Sequence, residues 1–280
     1  MATDCYLCPV CAQSLALHPS GKSYQCPNRH NFDLAKEGYL NLLPVQHKHS
    51  SEPGDNKSML NARRAFLEAG YYGPMAKAVA MMIAANVPGG QTIRLLDVGC
   101  GEGYYSRKIN AFYKQDDRIE LHGVDIAKFA IAAAAKKLAS ARYIVASSNR
   151  LPYIDGYFDV LLRVFAPSNE NELKRLLKPS GQLLIVTPGP RHLAQLKAFI
   201  YADVREHAGE IVLPQGFERL DVRRINTWIM PDRTERAALL QMTPFAWRAN
   251  KASQQALDRP EGLSIETDFI LTLAAPMRSF

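Results

Sequence analysis

No apolar run in this sequence approaches the roughly 20 residues needed to cross a bilayer. Its opening, MATDCYLCPV, has neither the basic stretch nor the apolar core of a secretory signal. Membrane and secreted classes are therefore set aside, and a cytoplasmic protein is expected. Internal repeats and low-complexity tracts are also missing, which argues against fibres and disorder. With 280 residues, 47% hydrophobic and 22% charged, the chain can bury one large core and a small satellite unit. Acid is scarcer than base, at 27 Asp and Glu against 34 Lys and Arg, leaving a formal charge of +7. That balance favours a polyanionic partner, because clustered Lys and Arg release counterions from a phosphate backbone. Four of the five cysteines lie within the first 26 residues, and only Cys100 follows. In a reducing compartment such crowding points to a metal before a disulfide.

The crowded stretch reads CPVCAQSLALHPSGKSYQCPNRH. Cys8-x2-Cys11 and Cys26-x3-His30 form two chelating corners joined by a loop containing Pro19, Ser20 and Gly21. Two such corners close a tetrahedral Cys3His site of the structural zinc type, one ion per chain, with no open position for catalysis. Cys5-x2-Cys8 has the same spacing. Cys8 and Cys11 are preferred because CPVC mirrors CPNRH in placing proline after the first ligand, which makes Cys5 a bystander. Residues 1–43 form this small zinc domain, closed by Pro44. The polar, basic segment 44–55, VQHKHSSEPGD with its preceding proline, reads as a linker or mobile loop facing substrate.

From Ile93 the texture changes. IRLLDVG, IELHGVD, ARYIVAS, FDVLLRVF and GQLLIVTP are near-continuous apolar runs suited to parallel strands buried on both faces. Helix-compatible segments separate them, two helices precede them (KSMLNARRAFLEAG and 74–87), and a further helix is expected from about His192 to His207. Two late strands, RLDVRRINTWI and SIETDFILTLA, flank a helical TERAALLQMTPFAWR. The alternation predicts a doubly wound α/β fold over residues 56–280.

LLDVGCGEGYY places Asp97, Gly99, Gly101 and Gly103 between a strand and a helix, where a glycine turn can cradle a ligand at a helix N-terminus. The acidic-x-G-x-G-x-G spacing departs from the dinucleotide fingerprint and matches the first motif of class I (Rossmann-like) S-adenosylmethionine-dependent methyltransferases. Glu102 could meet a cationic or hydroxyl group of the cofactor. Asp125 ends the next strand, where a carboxylate accepts from ribose hydroxyls; by itself it would read as a helix cap. Ser147 or Ser148 offers a contact to adenine. Cys100 is set aside as a nucleophile, since no base accompanies it. RVFAPSN after the fourth strand lacks the Asp/Asn-Pro-Pro-aromatic motif of many exocyclic-amine methyltransferases.

Taken together, CPVC, CPNRHNFD-AKEGYLNLLPVQHK, ARRAFLEAGYY, DVGCGEGYY, TPGPRHLAQLK and LLQMTPFAWR resemble the RlmA (RrmA) family of 23S rRNA (guanine-N1)-methyltransferases along essentially the whole chain, and the branch acting on hairpin 35 of domain II in particular. The resemblance implies zinc ligands at Cys8, Cys11, Cys26 and His30, and S-adenosylmethionine contacts at Tyr72, Gly101, Glu102 and His192. It also implies a homodimer. On the residues alone, an aromatic after a helix such as Tyr72 is more often core packing, and His192 is equally a helix-start cap. A guanine N1 acceptor must leave its pair or stack and lose a proton. No motif names the base: Asp155, in YIDGYFD, reads as a turn residue. Arg29, Lys36 and Lys48 are candidates for phosphate contacts. Two other classes share part of this pattern. A small-molecule methyltransferase would not need the knuckle, and a non-catalytic RNA-binding adaptor would not need the intact glycines and Asp125.

Overall fold

The computed structural model describes residues 5–44, 56–87, 90–114, 118–209, 211–258 and 261–277. The expected loop lies outside the described residues apart from Pro44, and so does Lys48.

The first strands, β1 (Ala16–Leu17), β2 (Ser23–Gln25) and β3 (Asn31–Asp33), form an antiparallel three-stranded ribbon. After β4 (Leu40–Asn41) come two helices, α1 (Lys57–Glu68) and α2 (Gly73–Asn86). Asn56 caps α1 by accepting from the Met59 N–H, and Pro74 sits in the first turn of α2, where its missing N–H costs nothing. The strands β5 (Ile93–Val98), β6 (Ile119–Asp125), β7 (Arg142–Val145), β8 (Phe158–Val164) and β9 (Leu177–Pro188) then alternate with α3 (Tyr104–Tyr113), α4 (Lys128–Lys137) and α5 (Glu170–Leu176). β10 (Phe217–Ile229) and β11 (Ile265–Pro276) close the sheet, whose order is β10-β11-β9-β8-β5-β6-β7-β4. All pairings from β9 to β4 are parallel, and β11 lies antiparallel between β9 and β10.

The central strands are buried on both faces, which is why they read as continuous apolar runs rather than alternating ones. The ribbon is not a separate bead. Leu40–Asn41 pairs with β7 as an eighth strand, and the Leu7 N–H donates to the Pro152 carbonyl at 2.9 Å. Cys5, Tyr6 and Leu15 share one apolar cluster with Tyr153, Phe158 and Leu161 on one face of the sheet. Cys5 belongs to that packing: it is fully buried, and burial pushes its thiol up to about 11.

The expected helix from His192 to His207 is corrected to a single turn, α6 (Ala194–Lys197). Leu193 enters it with a left-handed backbone (φ 57°), and the chain then folds back until the His207 N–H donates to the Pro190 carbonyl at 3.1 Å. A tertiary contact overrides helical spacing here. The expected helical TERAALLQMTPFAWR likewise splits at Pro244 into α7 (Arg233–Gln241) and a 3-10 turn, Pro244–Arg248. A short α8 (Lys251–Leu257) follows.

Candidate active site and metal centre

The ribbon brings four donors together. The Sγ atoms of Cys8, Cys11 and Cys26 and a ring nitrogen of His30 all lie within 4.8 Å of one another. His30 Nδ1 is 3.3 Å from Cys26 Sγ and 3.5 Å from Cys8 Sγ, and Cys11 Sγ is 3.7 Å from Cys26 Sγ. These separations fit the edges of a tetrahedron around one ion with metal–sulfur bonds of about 2.3 Å. The backbone N–H of Gln13 helps to pull the Cys11 thiol down to about 6, toward the thiolate that a metal binds. Cys5 stands outside the group.

At the carboxyl ends of the parallel strands lies a cavity of about 730 Å³. Its floor is the turn from β5 to α3, where Gly99, Gly101 and Gly103 all have positive φ, at 73°, 54° and 69°. A side chain at Gly99 would place its Cβ 2.4 Å from that of Ala166, so only glycine lets the chain after β8 lie against the loop. At Gly101 a Cβ would meet nothing within 4 Å, so the backbone is open to a ligand from the cavity side. Asp125 braces the loop: Oδ2 accepts from the Gly101 N–H at 2.9 Å and Oδ1 from the Ala127 N–H at 2.8 Å. It reaches the cavity, as do Ser147 and Ser148.

Asp97 does not reach the cavity. It is buried behind the loop, accepts from Ser106 Oγ at 2.7 Å, and burial pushes its carboxyl up to about 7. Glu102 lines the cavity, but the cations it meets are the protein's own. Arg64 Nε donates to it at 2.6 Å and Lys137 at 3.3 Å. Burial works against its charge, yet these cations hold it below the usual carboxylate range. Cys100 is buried, and burial drives its thiol well up, so it is no nucleophile. Asp155 pairs with Arg175 at 2.7 Å, away from the cavity, in keeping with a turn role.

Tyr72 and His192 meet across the opposite wall, the Tyr72 hydroxyl 3.3 Å from His192 Nε2. His192 Nδ1 accepts from the Asp268 N–H at 3.2 Å, which leaves the ring proton on Nε2, pointing to Tyr72. Burial, with His207 and Lys197 nearby, pulls the imidazole down to about 3, so it is neutral. Tyr72 is 3% exposed and packs edge-on to Phe269, so it is both core aromatic and cavity wall.

Three features of the cavity are not legible in the motifs. Phe165, directly after β8, combines a left-handed backbone (φ 53°) with a 47% exposed ring at the rim. Such strain in a non-glycine residue tends to sit at functional sites. Phe245 and His207 complete that end from distant segments. The one available hint was the aromatic in RVFAPSN, which stands at the end of a parallel strand. Tyr104, in the cavity wall, keeps a buried hydroxyl with no hydrogen-bond partner among the described residues. That orphan, the open approach to Gly101 and the cavity's size fit a polar cofactor of the size of S-adenosylmethionine.

The strand order, the glycine turn and the braced acidic residue at the end of β6 define a class I S-adenosylmethionine-dependent methyltransferase with an N-terminal zinc ribbon. Family models agree on both halves: "RlmA, N-terminal" matches residues 6–51 and "Methyltransferase domain" matches residues 90–231. YxjB of Bacillus subtilis (strain 168), provisionally named a 23S rRNA (guanine-N(1)-)-methyltransferase, is 32% identical over 94% of each chain. The 23S rRNA (guanine(748)-N(1))-methyltransferase of Streptomyces fradiae is 33% identical over 86% of this chain and 85% of its own. By contrast, a malonyl-[acyl-carrier protein] O-methyltransferase of Halorhodospira halophila (strain DSM 244 / SL1) is 30% identical over 41% of each chain. The chain belongs to the RlmA family.

Proposed function

We propose that this protein transfers a methyl group from S-adenosylmethionine to N1 of a guanine in 23S rRNA, within hairpin 35 of domain II. The observation that carries the reading is the union, in one shared core, of a closed Cys3His ribbon with an open methyltransferase cavity. A small-molecule enzyme has no use for the first, and a non-catalytic adaptor has none for the second. The relatives matched nearly end to end bear the name of this rRNA activity, whereas the relative with another acceptor is matched over two fifths of the chain.

In this reading Cys8, Cys11, Cys26 and His30 hold the zinc, which gives rigidity rather than chemistry. Residues 1–43 then present exposed Arg29 and Lys36 to phosphates, with Lys48 in the following loop. When bound, S-adenosylmethionine supplies a sulfonium methyl ready for in-line displacement. The Gly99–Gly103 turn seats the cofactor, with Gly101, Asp125, Tyr72 and His192 in its walls and Glu102 at the edge. Asp97 acts at one remove, by fixing the start of α3. Phe165 offers a flat apolar face to a guanine that has left its stack, which favours reading a loop nucleotide over a duplex one. Catalysis is then mostly positioning. The family resemblance also carries the expectation of a homodimer in the cytoplasm; sedimentation of the purified protein tests the dimer.

Incubating the purified protein with a hairpin transcript and labelled S-adenosylmethionine, then resolving the nucleosides by mass, tests the reaction. Label in N1-methylguanosine is expected. Label confined to another nucleoside, or none above background, contradicts it.

A further inference from the structure

The last part of LLQMTPFAWR is the 3-10 turn Pro244–Arg248. Thr243, Pro244 and Phe245 line the cavity, while Trp247 and Arg248 stand exposed beyond it. In a 3-10 turn side chains three apart eclipse one another, with a rise of about 2 Å per residue. Trp247 therefore lies on the side of Pro244, about 6 Å along the turn axis, and Arg248 on the side of Phe245.

Trp247 is 76% exposed, and no ring or cation packs on it among the described residues. Tryptophan is highly buried on average, so an indole held in water leaves a large apolar face uncovered. Cations accompany the aromatic rings here. Arg248 Cζ lies 5.9 Å from the centre of the Tyr201 ring, which meets Phe245 edge-on at 6.1 Å, and Lys197 Nζ lies 5.6 Å from the centre of the Phe245 ring. Neither Arg248 nor Lys197 has a carboxylate within ion-pair distance among the described residues. The acidic residues that follow Tyr201 are themselves paired, Asp203 with Arg205 at 3.9 Å and Glu206 with Arg191 at 4.0 Å.

Aromatic faces beside unneutralised cations suit single-stranded nucleic acid, whose bases stack on the rings while its phosphates meet the cations. A second copy of the chain is a poorer fit, because a two-fold contact would set these cations against their own equivalents.

We propose that Trp247 stacks on an unpaired base next to the target guanine, and that Arg248 holds the phosphate between the two nucleotides. This rests on the RNA reading of the cavity. The guanine enters the cavity, where Phe165 offers its ring, and Trp247 pins the neighbouring nucleotide outside. Stacking tolerates any base, so Trp247 fixes the register of the strand without reading its sequence.

Trp228 and Trp247 are the two tryptophans of the chain, so Trp228→Phe leaves Trp247 as the one indole reporter. The full-length, zinc-loaded Trp228→Phe protein is titrated with a synthetic hairpin RNA in the presence of S-adenosylhomocysteine, which has no methyl to give. Saturable quenching of the indole emission is expected. Removing the base of one of the two nucleotides that flank the methylated guanine should abolish the quenching. In the otherwise wild-type chain, Trp247→Ala should weaken hairpin binding about 5- to 150-fold, with S-adenosylmethionine affinity in titration calorimetry within about threefold of wild type. Trp247→Phe should keep most of the affinity, and Arg248→Gln should lower the slope of log affinity against log salt by about 0.7.

Emission unchanged at RNA concentrations that saturate methylation overturns the proposal. So does a Trp247→Ala loss that persists in full on both abasic RNAs, or a variant that changes sedimentation from dimer to monomer with RNA affinity intact. If Trp247→Ala fails to fold by circular dichroism, the emission titration still decides. Wild type that neither binds nor methylates the hairpin overturns the RNA reading and this assignment together, whereas methylation without quenching overturns the assignment alone.

Discussion

The two ends of the cavity are built in opposite ways. At the glycine end, the turn and its brace come from adjacent strands and a short stretch of chain, and nearly every polar group is satisfied within the protein: Asp97 by Ser106, Asp125 by Gly101 and Ala127, Glu102 by Arg64 and Lys137. At the other end, Phe165, His207 and Phe245 come from three separated segments, with the Phe165 ring exposed at the rim. A cofactor common to many enzymes is served by a rigid, local cradle. In the proposed reaction the acceptor would be met by side chains that only the completed fold assembles.

The largest expected effect breaks the comparison from outside, by removing the metal. Structural zinc contributes about 10–16 kcal/mol in isolated knuckles, and this ribbon shares its core with the sheet. Cys26→Ser should therefore lose the metal and also lower the melting temperature of the whole chain. Metal analysis beside calorimetry checks both, and a folded, zinc-free, active variant would detach the ribbon from the account.

Next in size are the glycines. Gly99→Ala combines a left-handed backbone with a 2.4 Å approach to Ala166, and should cost about 2–4 kcal/mol in denaturant unfolding. Gly101→Ala meets open space and should cost only about 1–2 kcal/mol, while still weakening S-adenosylmethionine in titration calorimetry. Equal stabilities for the two would show that the loop is not held against Ala166.

This ranking reflects what was legible beforehand. The glycine turn, Asp125 and the chelating corners sit within a few residues or one strand crossing of each other, so spacing alone announces them. The parallel strands were equally plain, since burial on both faces leaves a continuous apolar run. The length of the segment after His192 was not legible, because Leu193, Leu196 and Ile200 keep helical spacing while the contact of His207 with Pro190 turns the chain back. The docking of the ribbon through β4 and Leu7 was also hidden, as strands of two or three residues carry too little pattern. Asp97 was read as a cofactor ligand because the motif fixes its position but not the side of the sheet turn that its carboxyl takes.

A smaller effect sharpens the contrast through pH. Burial raises Asp97 to about 7, so its contribution to stability is present below its unfolded value near 4 and is lost as pH rises through about 7. His192 is depressed to about 3, so its contribution is present above its unfolded value near 6.5 and is lost as pH falls toward about 3. Relative to wild type, Asp97→Asn should gain stability as pH rises from about 4 to 8, and His192→Asn should gain as pH falls over that range. Parallel slopes in urea titrations would show that one of the two is not buried as described. Glu102→Gln, at the partly exposed rim, should change stability by no more than about 1 kcal/mol.

Primer extension on 23S rRNA from cells with and without this gene tests the central claim most directly, because N1-methylguanine cannot pair and halts reverse transcriptase. A stop in hairpin 35 that disappears on deletion should return with the wild-type gene, and should fail to return with a Cys26→Ser gene. A stop pattern indifferent to the deletion would contradict the assigned reaction, and full restoration by the Cys26→Ser gene would contradict the need for the ribbon.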